Sequence, residues 1–413
     1  MSNHNTRKRS TPQDLYYYRP LHIWAKCAGI LPNFNLNHLH TSSRLPYWNG
    51  ILMAVVFSSI YAYTTYGKIS YMLYAFPPSI FITDVGGDIA LYMANITSII
   101  RISLIKTRSI RKFLEHMKKI DVELRSINEN IKYPRRVFII EFISTNIIFV
   151  VYYIYDAYIW VESLTWNTYK WYFVRDVQCF HVIILSLVMR NYSLAIRNRV
   201  KILNGLLLQM KPPYEDGNRS SDITTGLIHV MNSLKHTDKR DIIKKQHWQV
   251  KKLRRIYARI CVSIGIYNDI FGWIYLVLYI AIVVYLLTSS NIALVYGIGS
   301  RKIGQADFGF TLLILCVLWS ALPLIVGFFI FSSADKVFFE IKRTPIICYS
   351  VMDSWLHLDE DQVLINELEK FAQQVSNSHP VITAAGFFAV DYAIFFALIG
   401  SLSSYLIVLI QFM

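Results

Sequence analysis

Acidic residues are in short supply. Asp and Glu number 27 against 42 Lys and Arg in 413 positions, a formal net charge of +15. Charged residues of both signs reach only 17%, whereas hydrophobic residues reach 54% and aromatics 15%. A soluble globular chain carries roughly a quarter charged residues, so this composition excludes that class. Excess basic charge suits nucleic acid when it forms a soluble basic face. Here the charges lie between long apolar stretches, and no nucleic-acid partner is expected. Cysteine is also rare: Cys27, Cys179, Cys261, Cys316 and Cys348 sit in apolar runs or basic segments, leaving no pair for an external disulfide. The opening Met1–Arg9 is polar and basic with no apolar core behind it. That pattern predicts no cleavable signal peptide and a first span that serves as its own insertion signal. The 11 His residues are scattered, and phosphate-cradling loops and nucleophile elbows are missing. Neither a metal nor a cofactor is expected.

One enzymatic reading has residues behind it. Asp88 follows Gly86-Gly87, and Tyr155-Asp156 lies in another apolar run. Intramembrane aspartyl proteases use Gly-x-Gly-Asp and Tyr-Asp on facing helices, where two close carboxylates share a proton. Here Val85 replaces the first glycine, the two elements occur in reversed order, and Asp156 falls near a membrane surface. The chain is therefore not expected to be an enzyme.

What is present is a series of apolar stretches of about 20 residues, the length that crosses a bilayer as helix. They predict an all-α membrane protein with seven transmembrane helices. A polar to amphipathic N-terminal segment covers 1–46, within which 15–31 lies along the membrane surface or under the bundle. The spans are 47–66, 79–105, 137–160, 171–195, 261–287, 308–332 and a last one at 394–413. Between them run a basic, helical segment (106–136) and a long polar loop (196–258) with a turn-prone centre at Pro212–Gly217. A third long segment, 335–393, is expected to form an anchor. Within it Leu364, Leu368, Phe371 and Val375 recur at helical spacing, which makes a partner-facing seam, between subunits or against 381–393. The final apolar run, 381–413, is long enough to break, because 33 helical residues span about 50 Å against a hydrocarbon core of about 30 Å. Gly386 and Asp391 place the softer part first. Basic residues fix the orientation: 37 of the 42 fall on one side and 5 on the other. The N-terminus is then cytosolic and the C-terminus extracellular, opposite to a G-protein-coupled receptor. The Asn-x-Ser/Thr sequons at 95, 191 and 218 fall in a span or in cytosolic segments and are not expected to carry sugar.

Polar residues cluster in the outer halves of the spans: Asp84, Asp88, Tyr152, Tyr153, Asp156, Trp160, Arg175, Asp176, Gln178 and His181, with Trp319 and Ser320 beside Pro323. Ionisable groups inside a membrane are functional candidates by default. Asp88, Tyr152, Asp156, Arg175, Gln178 and Trp319 are the predicted ligand-binding residues. The alternative is structural pairing at the interface within an ordinary aromatic belt, and a satisfied core role for His181. Tyr267-Asn268-Asp269 reads as an interhelical hydrogen-bond cluster.

The tail carries a second signal. At about 3.6 residues per turn, Ser401, Ser404, Val408 and Gln411 share one stripe with Phe412 beside it. Polar groups facing hydrocarbon are costly, so the stripe reads either as the lining of a narrow aqueous path or as hydroxyls bonded back to their own helix. Tyr405, five apolar residues and Gln411-Phe412 resemble the Thr-Tyr-(five hydrophobic)-Gln-Phe signature of insect gustatory receptors, with Ser404 where that signature has Thr. Arg19-Pro20-Leu21 through Gly29-Ile30-Leu31-Pro32 is similar to that family's opening segment. The resemblance implies a ligand-gated, non-selective cation channel in the plasma membrane of chemosensory neurons. It implies a homotetramer, or a tetramer with related subunits, whose pore is lined by the final helix. Ser404, Val408, Gln411 and Phe412 then belong to pore and gate. It implies an outward-facing cleft in each subunit for a small-molecule tastant. The many Tyr and Phe residues and few amides there favour bitter or deterrent compounds over sugars. A metabotropic seven-span receptor and an odorant-receptor-like channel subunit are the alternatives.

Overall fold

The computed structural model describes residues 19–32, 47–75, 78–129, 131, 135–164, 166–211, 236–299, 306–356, 362–378 and 380–411. The chain is a helical membrane protein. Six of the described helices are long and apolar enough to cross a bilayer, and Tyr392–Val408 is a shorter apolar stretch. The turn-prone Pro212–Gly217, Asn218 and Phe412 lie outside the described residues.

Helix α1 (Arg19–Cys27) packs its Leu21, His22 and Ala25 face inward. Helix α2 (Trp48–Ala75) is mostly apolar, and Ile51, Leu52, Val55, Ile60 and Tyr63 are exposed, as a lipid-facing surface requires. It extends nine residues past the predicted end at 66 and so takes in Lys68. Helix α3 (Pro78–Ser98) passes through a π-helical stretch, Ile99–Ile105, into the amphipathic α4 (Thr107–Arg125). The widened turn is held from outside: Arg101 donates to the backbone carbonyls of Asp269 and Ile270 at 2.9 and 3.2 Å. Helix α5 (Arg135–Leu164) exposes Ile139, Ile140, Ile143 and Ile147, and the short α6 (Trp166–Tyr169) follows it.

Helix α7 (Phe173–Leu208) is the axis of the fold and is buried along most of its length. Helix α8 (His236–Gly299) and helix α9 (Ala306–Leu356) pack around it. At 1.5 Å per residue α8 runs about 96 Å, three times the hydrocarbon thickness, so much of it stands outside the membrane. Hydropathy falls before α7, α8 and α9 end, so the spans it predicts are shorter than these helices. Helices continue past that point because backbone hydrogen bonds do not depend on apolar side chains.

After α9, α10 (Gln362–Asn377) buries Leu364, Leu368, Phe371 and Val375 against α8 and α9 of the same chain. Phe371 meets Tyr257 edge-on at 5.8 Å. The seam is satisfied within the subunit, which corrects the expectation of a contact between subunits or with 381–393. The final apolar run breaks as a two-stranded hairpin, β1 (Thr383–Ala384) and β2 (Phe388–Ala389), with Ala384 opposite Phe388. Its turn holds Ala385 and Gly386 at φ of 53° and 83°. That geometry is natural for glycine but costs an alanine about 1–2 kcal/mol. Asp391 then caps the last helix, α11 (Tyr392–Gln411), by accepting from Ile394 N at 3.0 Å. The helix starts two residues before the predicted 394.

Candidate functional site

Asp84 and Asp88 stand one turn apart on α3 and so share a face. Lys68 of α2 and Arg175 of α7 point at that face. Arg175 Nε donates to Asp88 Oδ1 at 2.8 Å and its Nη2 to Asp84 Oδ1, while Lys68 Nζ pairs with both aspartates. The quartet is neutral as a whole. Tyr172 covers both cations, its ring centroid 4.4 Å from Lys68 Nζ and 5.4 Å from Arg175 Cζ. Trp160 stacks between Tyr172 and Trp319 at 4.7 and 5.6 Å, with both interplanar angles 14°. Trp319 Nε1 donates to Asp156 Oδ1 at 2.7 Å, and Tyr169 Oη donates to Asp176 Oδ2 at 3.2 Å.

The fold thus brings Asp88, Asp156, Arg175 and Trp319 into one polar and aromatic assembly built from α2, α3, α5, α7 and α9. Tyr152 lies one turn before Asp156, half-buried, with its ring 6.4 Å from Phe149. Gln178 is buried one turn along α7; its backbone carbonyl accepts from Asn95 Nδ2 at 3.2 Å, and its side-chain nitrogen has no hydrogen-bond partner. His181 is tied between Asn95 Oδ1 at 2.7 Å and the carbonyl of Ala28 at 3.1 Å, the satisfied role the sequence allows. Lys68 escaped the sequence reading because a lone lysine just past an apolar run resembles a loop charge. Buried, it needs carboxylate partners, and Asp84 and Asp88, 16 and 20 residues on, were the available signal.

Beside this assembly lies a small apolar cavity of about 40 Å³. Leu91 of α3, Val182 and Ile183 of α7, Ala281 and Tyr285 of α8, and Pro323 of α9 line it. Trp319 is one turn before Pro323 and Asp176 one turn before the lining Cys179, so assembly and cavity share helices. The lining residues carry no sequence signature, because apolar side chains around a void read like any others around a core. Among the described residues, no group of three His, Cys, Asp or Glu side chains is placed to hold a metal.

On α11, Ser404 and Gln411 are exposed and Val408 is 49% exposed. Ser403 and Ser404 donate back to the carbonyls of Ile399 and Gly400 at 2.9 and 3.0 Å. Both hydroxyls are satisfied within the helix, while the stripe to which Ser404 belongs remains uncovered by the rest of the chain, as do Tyr405 and Ile407 beside it. The Tyr267–Asp269 cluster ties helices together. Tyr267 Oη donates to Met189 O at 2.9 Å, Asn268 holds the segment before α11, and Asp269 pairs with Lys106 at 2.6 Å.

Comparisons place the chain. No curated protein sequence matches it. Its fold is similar to the insect olfactory receptor OR5 of Machilis hrabei, with a TM-score of 0.62 at 12% identity over 97% of this chain and 99% of that one. It is also similar to the same receptor in complex with eugenol, with a TM-score of 0.61 at 11% identity over 97% and 98%. The sequence pattern of the 7tm chemosensory receptors matches residues 18–413, and the protein belongs to that family.

Proposed function

We propose that the protein is a gustatory-type receptor acting as a ligand-gated, non-selective cation channel, a tetramer in the plasma membrane of chemosensory neurons. Four copies of α11 would surround the pore, the seventh span of each subunit, with the N-terminus cytosolic and the C-terminus extracellular. The observation that carries this reading is the uncovered Ser404–Val408–Gln411 stripe on an otherwise apolar final helix. Rings of Val408 and Phe412 close such a pore by excluding hydrated ions, and the neutral amide of Gln411 favours no single cation sharply.

The ligand enters between α3, α7, α8 and α9. The cavity there holds only a few water-sized groups. A ligand therefore binds best where these helices have moved apart, and it shifts the equilibrium by its preference for that state. Asp88, Tyr152, Asp156, Arg175, Gln178 and Trp319 form the polar rim. An apolar cavity beneath an aromatic rim suits bitter or deterrent compounds better than sugars. An odorant-receptor-like subunit fits the same residues equally well, and the likeness to OR5 with eugenol bound favours that second reading. Current recording in cells expressing the chain, against panels of bitter, sweet and volatile compounds, separates the two. Val408→Ser and Phe412→Ala are expected to leak without ligand, and Gln411→Glu to raise divalent permeability. Surface-expressed variants that stay closed with parental selectivity would place the pore elsewhere.

A further inference from the structure

The buried charges around Arg175 do not balance. Six charged side chains face this region: Lys68 of α2, Asp84 and Asp88 of α3, Asp156 of α5, and Arg175 and Asp176 of α7. Two are cations and four are carboxylates. Both cations are engaged by Asp84 and Asp88. Asp156 and Asp176, 2% and 6% exposed, accept instead from neutral donors, the Trp319 indole and the Tyr169 hydroxyl. The other titratable groups near them are Tyr152 and Tyr153 of α5, Tyr169 of α6, Cys179 of α7 and Tyr285 of α8, none of them cationic, while the charge of Arg175, already engaged by Asp84 and Asp88, reaches both carboxylates. Asp156 and Asp176 also lie within each other's field. Two buried like charges without a cation of their own are an arrangement that a proton relieves.

We propose that Asp156 and Asp176 form a proton-binding site, through which the receptor answers to acid as well as to an organic ligand. The proton comes from bulk water and adds to a carboxylate oxygen. It removes one of the two uncompensated charges and leaves the Lys68–Asp84–Asp88–Arg175 quartet intact. The site lies at the ends of α3, α5 and α7 away from the basic segments 106–136 and 190–259, so the solution on that face supplies the proton. Its occupancy reaches the cavity by two short paths, from Trp319 to Pro323 along α9 and from Asp176 to Cys179 along α7. Coupling to current rests on the channel reading above; proton binding does not.

The test uses the purified full-length chain in lipid nanodiscs, with indole emission followed from neutral to acid pH. Emission should change in one step, because Asp156 bonds Trp319 and Trp319 stacks on Trp160. The step should vanish in Asp156→Asn/Asp176→Asn, return in Asp156→Glu, and shrink in Trp319→Phe. Should the double variant not fold, either single variant must shift the midpoint. In expressing cells, the pH dependence of ligand sensitivity should be lost in the same variants. Parental emission that stays flat while helix content is kept, or a folded variant that titrates like the parent, overturns the proposal. Emission that behaves as expected in a protein passing no current keeps the proton site and removes the channel.

Discussion

Asn268 on α8 holds Val381 from the side: its Nδ2 donates to the Val381 carbonyl at 2.7 Å, while its Oδ1 accepts from the neighbouring Thr383 N at 3.2 Å. Both ends of one amide are spent on the segment that leads into α11. A conservative replacement cannot reproduce this, since Asp lacks the donor and Leu lacks both groups. Asn268→Leu leaves two backbone groups unpaired, a loss of about 1–3 kcal/mol for each one buried. A lower melting temperature and a shifted ligand threshold are expected, read by thermal unfolding of the purified protein and by dose–response currents.

Gly272 sits one turn further along α8 under the same hairpin. A Cβ there meets Ala385 N at 3.1 Å and the Thr383 carbonyl at 3.3 Å. Backbone cannot swing aside as a side chain does, so Gly272→Val should displace the hairpin. Ala385→Gly relaxes the turn instead, and a gain of about 1 kcal/mol is expected from the positive φ. Opposite shifts in melting temperature for these two variants check the docking.

Lys68→Met leaves Asp84 and Asp88 sharing one guanidinium. Removing one partner of a buried ion pair costs about 3–5 kcal/mol, so surface expression should collapse. Asp88→Asn should be milder, because Asp88 is the more exposed of the two aspartates. Lys68→Met expressed at parental levels would mean that water reaches the quartet freely.

His22 of α1 is pushed down to about 3 by burial first and by the charge of Lys26 second. The unfolded chain binds a proton near pH 6.5, which the folded one refuses. Stability is therefore complete above about pH 6.5 and falls as pH drops toward 3. His22→Gln should reduce that slope in melting temperature against pH. It keeps a hydrogen-bonding side chain for Tyr192 Oη, which now lies 3.2 Å from His22 Nε2.

Filling the cavity tests the ligand route. Ala281→Leu adds three carbons to a wall of the void, and reduced ligand sensitivity at unchanged surface expression is expected. A parental response would send the ligand elsewhere.

How much of this was legible beforehand depends on the physics behind each feature. Runs of apolar residues mark spans because hydrocarbon tolerates little else, and the run from Val381 was too long to remain one helix. The spacing of Leu364, Leu368 and Phe371 disclosed a buried face, but not that α8 and α9 of the same chain cover it. Spacing reports that a face is apolar, never what lies across from it. Asp84, Asp88, Asp156 and Arg175 announced themselves as charges in apolar surroundings. Their division into a neutral quartet and two leftover carboxylates did not, since it depends on which helices adjoin. Ala385 gave no warning of its left-handed backbone; only the glycine after it did.

Helix α8 holds Tyr257, Asn268, Gly272, Ala281 and Tyr285 on one uninterrupted rod, with no proline among its 64 residues. From Asn268 to Tyr285 is 17 residues, or about 25 Å. Its backbone hydrogen bonds run on without a proline break, which couples one turn to the next. A roll imposed at Tyr285 is expected to reach Asn268, whose amide holds the segment that leads into α11. A kink engineered between the two, such as Leu276→Pro, would work like a slipped clutch: the cavity could still fill, and the last helix would no longer hear of it.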